Sequence, residues 1–137
     1  MNGQPLSIFQ ISGRAMSAQL VRLNTTASNL ANAGTVASSP GEAYRPIKPV
    51  FRTHFDDAAS GVATVDVEQV VTAGTEPTKR YDPGNPLADA DGNVWESGVD
   101  ESAELIDMME TARNYQNNVE VLQTAKDLIL NTIKLGS

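Results

Sequence analysis

The residues whose spacing comes nearest to chemistry form a short acidic loop, Asp89-Ala90-Asp91-Gly92-Asn93. Carboxylates two residues apart before a glycine resemble part of a calcium-binding loop. When Gly92 is aligned with the glycine of such a loop, Leu87 falls where the first carboxylate belongs and Gly98 where the closing glutamate belongs. Two required ligands are missing, so the sequence favours an Asx-type turn. A soluble interaction module that binds a cation through residues 82–91 is the alternative function.

Catalytic groups are scarce. His54 is the single histidine, and a Ser/His/Asp centre would need it as the base. No nucleophile elbow surrounds it, and its place in an alternating strand predicts a solvent-facing side chain. Gly84-Asn85-Pro86 lacks the lysine and the following helix of a phosphate-binding loop. The absence of cysteine excludes disulfides, thiolate catalysis and Cys-ligated zinc. We therefore predict no enzymatic activity, no cofactor and no metal site.

Charge is unevenly distributed along the 137 residues, whose formal net charge is −7. Residues 1–55 carry five Arg or Lys against one acid, giving +4, and the remainder carries five against sixteen, giving −11. Such asymmetry suits a contact between subunits, although two solvated faces would give the same count. No basic run interleaved with aromatic residues is present, so nucleic acid is not an expected partner.

No targeting or membrane segment is predicted. Residues 1–5 lack the basic and continuous apolar regions of a secretory signal. No apolar run approaches the roughly 20 residues that a membrane span needs. On these rules alone we expect a cytoplasmic protein.

The first long element is an amphipathic helix, predicted to run from after Pro5 to about Ala33. Small or apolar residues recur at alternating steps of three and four, which is the a/d spacing of a heptad repeat. A stripe on one helix cannot be buried without a partner, so we predict an assembly interface. Its residues here are Leu6, Phe9, Gly13, Met16, Leu20, Leu23, Ala27 and Leu30.

The middle of the chain predicts a β-hairpin followed by an ordered connector. Alternating apolar residues indicate strands at Arg45–Phe55 and Ala63–Val71, joined by a long loop. The two prolines of the first strand suit an extended arm. The sequence leaves open whether this arm packs on its own helices or reaches a neighbouring subunit, and we favour the neighbour. Gly and Pro punctuate Ala73–Gly98, where a short strand is expected at Lys79–Tyr81 or Val94–Glu96.

The last element is a helix over Glu101–Leu135. Ser102 or Asp100 can cap its start. For Met108 and Met109, the helical spacing favours positions in the core over a role in an adaptable binding groove. This helix carries the second half of the predicted interface, and the apolar repeat shifts by about one residue near Lys126. The interface residues here are Leu105, Met108, Ala112, Tyr115, Val119, Leu122, Ile129 and Ile133.

These elements predict an α+β fold. Two long terminal α-helices pair as a coiled coil, with an intervening β-hairpin arm and ordered loops. The expected domains are a discontinuous helical coiled-coil domain of residues 1–33 and 101–137, and a β-hairpin arm with its connector at residues 34–100.

Four segments resemble the flagellar axial proteins, a family of rod, hook and hook-associated subunits. The signature Asn-Leu-Ala-Asn-x-x-Thr occurs within Ala27–Thr35, and its residues here are Asn29, Leu30, Ala31, Asn32 and Thr35. Phe9–Met16, Tyr81–Pro86 and Met108–Glu120 resemble the proximal rod members of the family. The resemblance covers nearly the whole chain.

The resemblance implies a structural, non-enzymatic role in cell motility. Such subunits leave the cytoplasm through the flagellar type III export apparatus without a cleaved signal peptide, which replaces the cytoplasmic expectation. They assemble in the periplasmic space with themselves and other rod subunits, as helical homo- and hetero-oligomers. The resulting basal-body rod transmits motor torque to hook and filament, with terminal helices forming its inner tube.

Overall fold

Two helices and five strands make up the described part of the chain, which in the computed structural model comprises residues 7–57 and 62–136. Helix α1 spans Ile8–Asn32 and helix α2 spans Glu101–Leu135. Between them lie β1 (Val36–Ala37), β2 (Ile47–Asp57), β3 (Val62–Thr72), β4 (Thr78–Tyr81) and β5 (Asn93–Glu96). The predicted α+β class is confirmed.

Local sequence accounts for both helix starts. Ser7 caps α1 with a reciprocal capping box: its hydroxyl accepts from the Gln10 N–H at 3.3 Å, and its own N–H donates to the Gln10 carboxamide at 3.0 Å. Asp100 is the residue that caps α2, accepting from the Ala103 N–H at 3.2 Å. Helix α2 agrees with its predicted bounds, whereas α1 begins at Ile8 because Ser7 takes the cap.

Strands β2 and β3 form the predicted antiparallel hairpin, in which His54 lies opposite Thr64 and Thr53 opposite Val65. A register shift between Val50 and Phe51 bends the ribbon. The connecting loop at residues 58–61 lies outside the described residues. The hairpin packs on α1 of its own chain, which corrects the expectation that it reaches a neighbour instead.

A second, three-stranded sheet has the order β1-β5-β4, with both pairs antiparallel. The sequence predicts a strand at one of two places in the connector. Both strands, β4 and β5, are present, and they pair with each other. Strand β1 was not predicted, because two residues are too few to establish a period. This sheet lies against the end of α1, where the Ser97 hydroxyl donates to the Ala33 carbonyl at 2.6 Å.

The buried interior is small and largely polar. Among the described residues, the buried hydrophobic side chains are Ala18, Ala43 and Val94. Buried polar side chains outnumber them, and all need hydrogen-bond partners: Ser12, Thr25, Thr26, Asn29, Thr64, Asn93, Ser97 and Thr111. The expectation that both Met108 and Met109 occupy core positions is wrong for Met109, which is 72% exposed, because the preceding residue takes the half-buried position.

Candidate functional site

The signature residue Asn29 joins α1 to the base of the hairpin. Its carboxamide nitrogen donates to the Ile47 carbonyl at 2.9 Å, and its oxygen accepts from the Ile47 N–H at 2.9 Å. The Tyr44 hydroxyl donates to the same oxygen at 2.8 Å. Asn29 is only 2% exposed, so its amide satisfies an edge residue of β2 as a neighbouring strand would.

Two further signature residues organise the end of α1. The Asn32 carboxamide donates to the Ser28 carbonyl one turn earlier, at 2.9 Å. The Thr35 hydroxyl and N–H both donate to the Asn32 carbonyl, at 2.7 and 3.1 Å. The two bonds from Thr35 satisfy a carbonyl group that the end of the helix leaves free. Leu30 is half-buried and Ala31 is exposed, so the polar members of the signature form the junction.

A polar cluster connects the two helices. The Asp107 carboxylate on α2 accepts from the Arg22 guanidinium, with Nε to Oδ2 at 3.3 Å, and from the Thr26 hydroxyl at 3.0 Å. Thr26 is 2% exposed and Thr111 is fully buried. The contact surface between the helices is therefore polar at its most buried positions.

The predicted stripe of α1 stays outside this buried strip. Phe9 and Leu20 are 40% and 42% exposed, and Ala27 is also exposed. The remaining described members are half-buried: Gly13, Met16, Leu23 and Leu30. Leu6 lies outside the described residues. A Cβ added at Gly13 would meet nothing within 4 Å, so no described part of the chain packs closely against this position.

The predicted residues of α2 divide in the same way. Met108, Tyr115 and Leu122 are half-buried. The rest are exposed: Leu105 51%, Val119 37%, Ile129 45% and Ile133 63%, together with Ala112.

Two open grooves bring the two predicted sets together. One is lined by Leu23 of α1 with Ala112 and Tyr115 of α2. The other is lined by Phe9 of α1 with Val119 and Leu122 of α2. We call the surface formed by both predicted sets the apolar flank. At these two grooves, residues of both predicted sets lie on a common surface.

Sequence reasoning missed the polar residues that join the elements: Arg22, Thr26, Tyr44, Thr64, Ser97 and Asp107. One signal was available in α1, because Arg22, Thr26 and Asn29 follow each other by four and three residues. That spacing places them on one helix face parallel to the apolar stripe. Periodicity alone gives no reason to prefer a polar stripe over an apolar one as the buried contact.

The acidic loop forms the expected turn. The Asp89 carboxylate accepts from the N–H groups of Asp91 and Asn93, both at 2.9 Å. Within residues 7–57 and 62–136, no group of three or more His, Cys, Asp or Glu is placed to hold a metal ion. The carboxylate therefore serves the backbone, and the cation-binding alternative is not supported.

His54 lies at the surface of the hairpin. Its side chain is 47% exposed, and its Nε2 is 3.7 Å from Asp66 Oδ2. This partner is a solvated carboxylate on the adjacent strand. The arrangement provides an exposed polar pair and no nucleophile for a histidine base.

Comparison with protein families matches both ends of this architecture. The family "Flagella basal body rod protein" matches residues 9–36, which contain α1 and the signature. The family "Flagellar basal body rod FlgEFG protein C-terminal" matches residues 90–135, which contain β5 and α2. These matches define the class of protein as a flagellar basal-body rod protein.

Relatives with curated names narrow the class to one member. The flagellar basal-body rod protein FlgC of Salmonella typhimurium is 46% identical, over 96% of this chain and 97% of its own length. The FlgC proteins of Yersinia enterocolitica and Agrobacterium fabrum are 44% and 35% identical, over 96% of this chain and 97% and 95% of theirs. This chain belongs to the FlgC family of flagellar basal-body rod proteins.

Membership of the family establishes the role as that of a structural component of the basal-body rod, and not an enzyme. No described helix combines the length and apolar character needed to cross a membrane.

Proposed function

We propose that this chain enters the flagellar rod by packing its apolar flank against the terminal helices of neighbouring rod subunits, both copies of itself and other rod proteins. The observation that carries this proposal is the inverted burial of α1. Its most buried residues within the chain are small or polar, while large apolar members of its stripe remain exposed or half-exposed. A large contiguous apolar patch on the surface of a soluble protein marks an interaction site.

In this proposal, the paired helices α1 and α2 form one side of a larger contact, and helices of neighbouring subunits form the other side. An antiparallel coiled-coil arrangement is supported by the polar cluster at Asp107 and by the groove that joins Phe9 to Leu122. Each helix presents one apolar edge to the groove between them and leaves the other edge to a partner. Neighbouring helices that fill these grooves would complete knobs-into-holes packing.

The exposed end of α2 extends this surface. Leu128, Ile133 and Leu135 are 63%, 63% and 88% exposed. A helix segment that is apolar on several faces is stable only when several of those faces are buried. We infer that this end is enclosed by more than one neighbouring subunit.

We assign torque transmission to the discontinuous helical domain, residues 1–33 and 101–137, and an outer position to residues 34–100. Long helices packed side by side resist shear along their whole length, whereas two small sheets have little core to contribute. The Asn29 junction joins the two domains, so load on the helices reaches the outer domain through buried hydrogen bonds.

We infer that the subunit is delivered through the flagellar type III export apparatus, as the resemblance to flagellar axial proteins implies. The small buried interior supports it, since few buried apolar side chains must be exposed when the chain is unfolded for passage. Ordering of the helices then accompanies assembly. The excess of positive charge in residues 1–55 and of negative charge in the rest favours contact between unlike parts of neighbouring subunits.

The experiment introduces a charge into the apolar flank of the full chain. Leu23→Asp and Leu122→Asp should each block rod assembly and swimming, while the subunit is still exported, because a carboxylate in an apolar helix contact is costly. Export is measured as secreted subunit in a strain that cannot complete the rod. Swimming is measured in soft agar.

Asn24→Asp is the matched control, because Asn24 is exposed and adjacent to Leu23 in sequence. It adds the same charge to α1 without entering the flank, and it should leave swimming intact. Normal swimming in the Leu23 and Leu122 variants would show that the apolar flank is not the assembly interface.

A further inference from the structure

The two faces of the hairpin differ in chemical character. Between its two register shifts, β2 and β3 pair in regular antiparallel rows, and successive rows point to opposite faces. The rows Arg52–Asp66 and His54–Thr64 form the face that meets α1. There the Thr64 hydroxyl accepts from the Arg14 guanidinium at 3.0 Å, and Thr64 is 2% exposed. The hairpin therefore packs a polar face on its own helix.

The opposite face of the hairpin is uncharged and largely exposed. We call it the outer face, and it consists of the rows Phe51–Val67, Thr53–Val65 and Phe55–Ala63. Phe55, Phe51 and Val65 are 69%, 41% and 38% exposed. Apolar side chains grouped in this way on a protein surface mark an interaction site.

A second uncharged surface lies at the end of α2. Residues 128–133 contain no charged side chain, and every described residue after Ala125 is exposed. We call residues 128–133 the uncharged end of α2, in which Leu128, Leu130 and Ile133 are 63%, 44% and 63% exposed. Ile8, the first residue of α1, lines a groove with Ala125 and Leu128. Because the two helices run antiparallel, most of the uncharged end extends past Ile8.

The two surfaces do not meet within one chain. Among the described residues, the hairpin strands pack on α1 and not on α2. The polar face of the hairpin is held beside Arg14, which is six residues, or about 9 Å, from Ile8. The uncharged end of α2 lies beyond Ile8 in that direction, so contact between the two surfaces requires a second copy.

We propose that the outer face of the hairpin docks on the uncharged end of α2 in a second copy of this chain. The two surfaces have similar lengths, since Phe51 to Phe55 spans about 13 Å of strand and residues 128–133 span about 9 Å of helix. Neither surface carries a charge, so docking removes no charged group from water. This inference rests on the proposed assembly through the terminal helices and adds the hairpin to it.

Contact between unlike surfaces also fits a growing assembly. Two outer faces packed on each other would form a closed dimer and leave the uncharged end of α2 exposed. A head-to-tail contact covers both surfaces and repeats from copy to copy, which generates a ring or an open helix. The proposed helical rod requires a contact of this second kind.

The first test is crosslinking in assembled rods, and the absence of cysteine from the chain makes it specific. The full chain with both Val65→Cys and Ile133→Cys is treated with a short bismaleimide and separated on a denaturing gel. Covalent dimers, trimers and higher multimers are expected, because each copy joins its outer face to the next copy's helix. Each single variant should remain monomeric, since its partner position lacks a thiol.

Thr78→Cys combined with Ile133→Cys is the matched control, because Thr78 is an exposed strand residue outside the hairpin. It should yield no multimers. Multimers in this control, or their absence in the Val65 and Ile133 pair, would overturn the proposal. Dimers from Val65→Cys alone would indicate face-to-face packing, and a crosslink from Val65→Cys to another rod protein would indicate a different occupant; either result also overturns it.

A second test exchanges charges and needs no crosslinking. Val65→Asp and Ile133→Lys should each reduce swimming in soft agar at least about threefold, because each buries an unpaired charge in the contact. Together in one chain they should recover most of the swimming, since the two charges then attract across the contact. Thr78→Asp should neither impair swimming nor rescue Ile133→Lys. Absence of rescue by Val65→Asp contradicts direct contact.

These outcomes are distinct from failure of the proposed assembly interface. Normal swimming in the Leu23→Asp variant argues against the apolar flank. Cells that swim with the Val65 and Ile133 cysteine pair, but whose rods give no multimers, argue against the hairpin contact alone.

Discussion

Asp107 and Arg22 form an ion pair that joins the two terminal helices across 85 positions of sequence, with each side chain 30% exposed. The buried hydroxyl of Thr26 donates to the same carboxylate. In a partly buried pair of this kind, the cost of desolvation offsets much of the Coulomb attraction. Its main effect is therefore on alignment: it fixes which residues of α1 lie beside which residues of α2.

Two variants test what this ion pair contributes. Asp107→Ala should lower the free energy of unfolding by about 1–3 kcal/mol, because Arg22 and Thr26 lose a shared acceptor. Arg22→Met combined with Asp107→Leu should recover most of that loss, since an apolar pair of similar volume avoids desolvation. Urea unfolding of the purified full chain gives the values. Equal losses in the single and double variants would contradict an alignment role.

The base of the hairpin should be the most sensitive polar site. Asn29→Asp removes the donor to the Ile47 carbonyl and places a buried carboxylate beside that oxygen. We expect a loss of at least about 2 kcal/mol in the free energy of unfolding.

Asn24→Asp makes the same chemical change at an exposed position of α1 and should shift stability by no more than about 0.5 kcal/mol. Urea unfolding compares the two variants. Similar losses in both would mean that the Asn29 bonds add no stability.

Gly92 occupies a backbone conformation that other residues avoid, with φ of 79°. A Cβ there would also lie 3.0 Å from the Tyr81 ring and 3.1 Å from Pro83 Cβ. Gly92→Ala should therefore cost about 1–2 kcal/mol and lower the melting temperature by several degrees. In Gly84→Ala the new Cβ meets nothing within 4 Å, so thermal unfolding of this variant should resemble that of the unchanged chain.

Helix content should depend on assembly. Helices α1 and α2 contain 25 and 35 residues, but the exposed end of α2 gains little stability from packing in the isolated chain. Circular dichroism of the purified subunit should show fewer helical residues than these two lengths together. A monomer with full helix content and one cooperative melt would contradict folding on assembly.

Much of the fold could be predicted because its signals are local. The bounds of α2 follow from a cap at Asp100 and a sustained helical period, and the hairpin follows from alternating residues on both sides of a loop. The family signature at Asn29 was also visible, although its structural task was not. The two-residue strand β1 was missed because its formation depends on β5, far away in sequence.

The sequence by itself determined both helices, the hairpin, the apolar stripes and the family, because the signals for each lie in residues a few positions apart. Only the tertiary structure decided which helix face is buried. Burial depends on partners distant in sequence: Asn29 meets Ile47, and Arg22 meets Asp107. Hydrogen bonds and charge select these polar faces for contact within the chain, and Phe9, Leu20 and Ala27 of the predicted stripe stay exposed.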